Sequence, residues 1–123
     1  MRIGYSIVFV SDMKRSISFY RDVLEISLKF ETSHWSEFQM DGATLALHLS
    51  HEPNVTVRSA GMEKAGSCRP GFSVEDLEAF HTRVLDHDVP CVQEPKETFG
   101  SRIAQYSDPD GLVFSVSEMK HDR

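Results

Sequence analysis

Six histidines, two cysteines and nineteen acidic residues are this chain's means for metal or acid–base chemistry, and their spacing limits what they can assemble. His48 and His51 lie three apart, which on a strand sends the two side chains to opposite faces, so they cannot chelate together without a bulge. His34 falls on an expected middle strand, His81 and His87 fall around an expected helix, and His121 lies near the C-terminus. None pairs with an acid at an ordinary ligand spacing on a rigid element. Cys68 and Cys91 make neither a C-x-x-C motif nor a disulfide framework and read as free thiols. No Ser/His/Asp arrangement, glycine-rich phosphate loop or Cys/His nucleophile pattern is present. An imidazole titrates near neutrality, so His48 is the candidate general base, although no carboxylate in the sequence is placed to orient it. Trp35, Phe38 and Phe99 are candidates for an apolar wall against a planar ligand, with core packing as the alternative use of such rings.

The elements that must position these residues belong to a small chain of 123 residues, either one compact unit or two small halves. It is 40% hydrophobic and 26% charged with eight Phe, an ordinary composition for a soluble protein. A net charge of −6 argues against a nucleic-acid partner. No apolar run reaches the length of a membrane span, and the N-terminus lacks a small-residue cleavage site, which leads us to expect a cytoplasmic protein without membrane association.

Ile3, Ile7, Val8, Phe9 and Val10 suit a buried strand. Ser11-Asp12 ends it and supplies a helix cap. Ile17, Tyr20, Val23 and Leu24 then make one helical face. Leu28 and Phe30 resume an alternating pattern, His34–Met40 reads as another strand, and Asp41-Gly42 is a hairpin signal before the strand Ala43–Leu49. The first half is therefore β-α-β-β-β. Pro53–Ser67 is irregular and suits a linker. The order restarts with a strand end at Phe72-Ser-Val74 and a helix start at Glu75-Asp76. Leu77, Phe80, Val84 and Leu85 give an apolar helical face. Short strands are expected at Val89–Val92 and Arg102–Tyr106, and a last one at Leu112–Val116 after the turn Asp108-Pro-Asp-Gly111. Phe19-Tyr-Arg-Asp-Val-Leu24 matches Phe80-His-Thr-Arg-Val-Leu85 in residues, helical phase and element order, which points to internal duplication.

Val10-Ser-Asp-Met-Lys-Arg-Ser-Ile-Ser-Phe-Tyr-Arg-Asp-Val-Leu-Glu-Ile26 resembles the first helix segment of the vicinal oxygen chelate superfamily. That superfamily includes glyoxalase I, fosfomycin-modifying enzymes, extradiol dioxygenases and bleomycin-resistance proteins. Asp108-Pro-Asp-Gly111 before an alternating strand resembles its last hairpin, and Gly100-Ser-Arg102 before that hairpin also fits the family pattern. The resemblance implies an α+β fold in which two β-α-β-β-β modules, about 1–56 and 68–123, form one domain shaped as a curved, half-open barrel, often completed by a homodimer. It also implies a ligand cavity, though this scaffold hosts many chemistries as well as plain binding.

In metal-dependent members, four strand positions supply His and carboxylate ligands to a divalent ion. By the resemblance these positions fall on Tyr5, His48, Arg69 and Ser115. A neutral phenol is a poor donor, a guanidinium repels a cation, and a serine stands where an acid is expected. Pro70 makes pairing around Arg69 irregular, so Ser67 or Cys68 could take that register. Only His48 suits the ion, and no metal or other cofactor is expected. If the register holds, the four residues converge as a polar cluster in which Arg69 could pair with an anion of a small ligand, or else with an internal acid such as Glu97.

The expected function is small-molecule binding, with ligand contacts from Tyr5, Trp35, His48, Arg69, Phe99 and Ser115. The alternatives are a lyase, transferase or dioxygenase-like enzyme with an atypical metal site or with His48 as acid/base, and a non-catalytic regulatory or interaction domain.

Overall fold

The computed structural model describes residues 1–52 and 65–119. The chain divides into two compact units, Met1–Thr56 and Val57–Arg123. Most of the linker expected over 53–67, and His121, lie outside the described residues.

In the first unit, strand β1 (Tyr5–Val10) leads into helix α1 (Met13–Ser18), continued by a π-helical turn, Phe19–Val23. Asp12 starts the helix: its backbone is extended, and its carboxylate accepts a 3.0 Å hydrogen bond from the Arg15 N–H, satisfying one donor the first turn leaves open. The strands β2 (Ser27–Phe30), β3 (Trp35–Gln39) and β4 (Thr44–Leu49) follow. The sheet order is β1-β4-β3-β2, with β1 parallel to β4 and the remaining pairs antiparallel. Gly42 supplies a positive φ of 98° in the β3–β4 connection, as the Asp41-Gly42 signal predicts. His34 precedes β3 rather than lying on it, and its carbonyl accepts from Leu49 N at 2.9 Å.

The alternation of β1 sorts the sheet into two faces. Val8 and Val10 are buried with Phe38, Leu45 and Leu47, and the helical residues Met13, Ile17 and Tyr20 are buried with them. Tyr20 and Phe38 meet with ring centroids 6.1 Å apart. On the other face Tyr5, Ile7 and Phe9 are exposed.

The second unit repeats the plan. Strand β5 (Gly71–Val74), helix α2 (Leu77–Asp86) and strands β6 (Cys91–Thr98), β7 (Ser101–Ser107) and β8 (Val113–Glu118) give a sheet of order β5-β8-β7-β6 with β5 parallel to β8. Asp76 caps α2 through Ala79 N at 3.1 Å. Leu77, Phe80, Val84, Tyr106, Phe114 and Val116 form the buried core. The β7–β8 turn is held by Asp108, whose carboxylate accepts from Asp110 N and Leu112 N, each at 2.9 Å.

Three expectations are corrected. Arg69 is not on the opening strand of this unit: β5 begins at Gly71, because Pro70 has no N–H to contribute to the ladder. The strand expected at Val89–Val92 starts only after Pro90 and runs to Thr98, through two register irregularities, the second of which, between Gln93 and Lys96, accommodates Pro95. The first helix is also not a regular α-helix throughout, since its second turn is π-helical. The α+β class and the two β-α-β-β-β modules are present as expected.

Candidate functional site

The exposed face of the first sheet carries an aromatic group. Phe9 pairs with His48 across β1 and β4, and Trp35 pairs with His48 across β3 and β4, so one row of the sheet holds all three rings. The His48 ring centroid lies 5.5 Å from Phe9 in a tilted contact and 5.9 Å from Trp35 edge-on. Phe9 is 63% exposed and His48 is exposed, whereas Trp35 is half-buried, so this row lies at the surface and not in the core. His48 Nδ1 stands 2.8 Å from the Leu49 carbonyl, which can only accept, so Nδ1 is the donor of this hydrogen bond. Trp35 Nε1–H donates to Glu37 Oε2 at 2.9 Å, and Lys29 Nζ approaches the other oxygen of that carboxylate at 3.8 Å.

Tyr5 and His48 do not converge. Tyr5 pairs with Thr44, and His48 lies four residues further along β4, about 13 Å away at roughly 3.3 Å per residue. The two sheets explain the difference. Val10 pairs with Leu49 as Val74 pairs with Glu118, so the counterpart of Ser115 in the first unit is Ala46, and His48 corresponds to Ser117.

In the second unit Ser115 pairs with Gly71 and with Gln105. Arg69, half-buried, lies two residues before Gly71. Glu118, the last acid of the strand, points to the helix face, where its carboxylate accepts from Leu77 N. Among the described residues no three His, Cys, Asp or Glu side chains come together as a metal could require. Ligands about 2 Å from one ion must lie within a few ångströms of each other; Tyr5 and His48 are too far apart, Ala46 is inert, Arg69 repels and Ser115 is neutral. The described residues do not fit a divalent-metal site of the expected kind.

The open face of the second sheet encloses a concavity of about 560 Å³. Ser115 and Phe99 line it, joined by Ser73, Ser117, Gln93, Gln105, Lys96, Thr98 and the apolar Phe72 and Ile103. Ser73 and Ser117 hydroxyls lie 3.3 Å apart, and the Gln93 amide donates to Ile103 O at 3.3 Å. Lys96 and Thr98 escaped the sequence reading, because Pro95 and the β6 irregularities hide the alternation that places both beside Phe99. On the opposite face of β7, Tyr106 OH lies 2.9 Å from His81 Nδ1. Burial, with lesser contributions from Cys91 and Glu78, raises the Tyr106 phenol above the ordinary tyrosine range.

The model of the Glyoxalase/Bleomycin resistance protein/Dioxygenase superfamily matches residues 2–116, and the chain belongs to this family. The phenazine antibiotic resistance protein EhpR of Enterobacter agglomerans is 27% identical over 111 residues, covering 89% of this chain and 86% of EhpR. The metallothiol transferase FosB of Staphylococcus saprophyticus is 25% identical over 111 residues, covering 87% and 70%. A glyoxalase/dioxygenase structure from Nostoc punctiforme superposes with a TM-score of 0.82 at 16% identity, covering 98% of this chain and 92% of that one, a likeness of fold. Among the described residues no helix is long and apolar enough to cross a membrane.

Proposed function

We propose that this chain is a small-molecule-binding protein that holds a planar ligand by stacking, and sequesters it without a divalent metal. The carrying observation is the surface row Phe9–His48–Trp35, in which Phe9 and His48 are exposed and Trp35 is half-buried. An isolated exposed ring needs no explanation, but three adjacent rings on an open sheet face offer a planar molecule a large contact area at little cost in side-chain entropy. The similarity to a phenazine antibiotic resistance protein supports a flat heteroaromatic ligand. In this reading the protein acts in the cytoplasm as a homodimer, needs no cofactor and has no nucleic-acid partner; light scattering on the eluted protein checks the dimer.

Trp35 is the sole tryptophan and so reports on its own site. Titration with phenazine should quench its fluorescence saturably, and Phe9→Ala should weaken binding by about tenfold, the order expected from one lost ring stack. Absence of saturable quenching sinks the proposal, as does a stoichiometric metal whose occupancy depends on His48.

A second reading, His48 as the acid/base of a catalysed reaction, draws on the Leu49 carbonyl, which holds the imidazole in place through Nδ1. It requires a turnover that His48→Gln abolishes at saturating substrate, beyond the weakened binding that the loss of one ring of the row explains.

A further inference from the structure

The concavity of the second unit has two polar groups without a protein partner among the described residues, one exposed and one buried. Lys96 is the one charged residue among those lining it, and no carboxylate partners its ammonium among the described residues. The neighbouring cation Arg102 is by contrast engaged by Glu78. Thr98, two residues from Lys96 on the same strand and lining the same concavity, has a buried hydroxyl with no hydrogen-bond partner among the described residues. A buried hydroxyl left unpaired is costly, and a rotation about χ1 changes its direction. Across the sheet, Gln105 and Ser115 add neutral donors.

Phe99 forms the rim. It pairs with Gly100 in the two-residue turn between Thr98 and Ser101, and both turn residues have positive φ, 51° and 80°. A bulky residue is strained there, where Asn or Gly is ordinary. Its side chain is 101% exposed, so packing within the described protein does not offset that strain. Strained exposed residues beside a concavity are a mark of ligand sites.

We infer that this concavity binds an aromatic carboxylate, with the carboxylate on Lys96, Thr98 turned to donate to it, and the ring against Phe99. One ammonium among neutral donors matches a single negative charge better than a dianionic phosphate, for which several cations are usual. The inference deepens the small-molecule reading but uses residues of the second unit only.

The test is a titration of uniformly ¹⁵N-labelled protein with benzoate and, separately, with its neutral isostere benzamide. Benzoate should shift the amides of Lys96, Thr98, Gln105 and Ser115. Benzamide should bind about tenfold more weakly, and Lys96→Met should remove that preference by lowering benzoate affinity about tenfold, the order of one charge-assisted hydrogen bond. An unchanged spectrum outside the site shows that the variant is folded, and Lys96→Arg should restore the preference. Equal affinity for the two probes, or a benzoate affinity indifferent to Lys96→Met, overturns the inference. Quenching of Trp35 by phenazine without benzoate shifts in the second unit overturns this inference and leaves the binding reading standing. Benzoate shifts without quenching do the reverse.

Discussion

The Glu118 carboxylate accepts a 3.0 Å hydrogen bond from the backbone N–H of Leu77, the first residue of α2. The acid nearest the end of β8 therefore serves the fold, by satisfying a donor the helix start leaves open and by placing negative charge at the positive end of its dipole. Glu118→Ala should lower stability by about 1 kcal/mol, measured by urea unfolding, and leave ligand affinity unaltered. A loss of binding with full stability would show that Glu118 belongs to the site.

Asp108 is 4% exposed and holds the β7–β8 turn through two backbone N–H groups. Asp108→Ala strands both donors, so a loss of about 1–3 kcal/mol is expected, read as a fall in the midpoint of chemical unfolding. Asp108→Asn, which keeps an acceptor oxygen, should recover part of it.

Phe99 gives a prediction of opposite sign. Asn is at ease with positive φ in a two-residue hairpin, so Phe99→Asn should stabilise the protein by up to about 1 kcal/mol while weakening benzoate binding. Thermal unfolding and the NMR titration measure the two effects. A variant that is less stable would mean that Phe99 packs against something.

Tyr106 is fully buried, and its phenol is shifted upward chiefly by that burial. The sign follows from linkage: with the folded value above the unfolded one, the contribution to stability is whole below about pH 10 and is lost as pH rises through the folded value. Stability should therefore fall above about pH 10, and Tyr106→Phe should flatten that fall while losing the hydrogen bond to His81. Urea unfolding at several alkaline pH values decides it; an equally steep fall in the variant would assign the effect elsewhere.

The periodicity of Ile17, Tyr20 and Leu24, the caps at Asp12 and Asp76, and the Asp41-Gly42 and Asp108–Gly111 turns are local signals. Local energetics enforce them, so the two β-α-β-β-β modules were legible in the sequence. The same is true of Glu118 facing away from Ser115, a consequence of period-two alternation. Phe99 and Ser115, far apart in sequence, line one concavity.

Register is another matter. It arises from which backbone groups pair across strands distant in sequence, and a shift of two residues preserves every face while moving a side chain about 7 Å along the strand. That is how His48, correctly placed on the open face of β4, came to pair with Phe9 and Trp35 instead of approaching Tyr5. Pro70 and the irregular β6 likewise shifted Arg69 off its strand and hid Lys96 and Thr98. The sequence by itself determined the elements, their order and the faces of their strands, because these depend on neighbours along the chain. Which residues stand side by side was decided by the tertiary pairing, which sets Phe9, His48 and Trp35 in one row of the first sheet and Lys96, Thr98 and Phe99 around the concavity of the second.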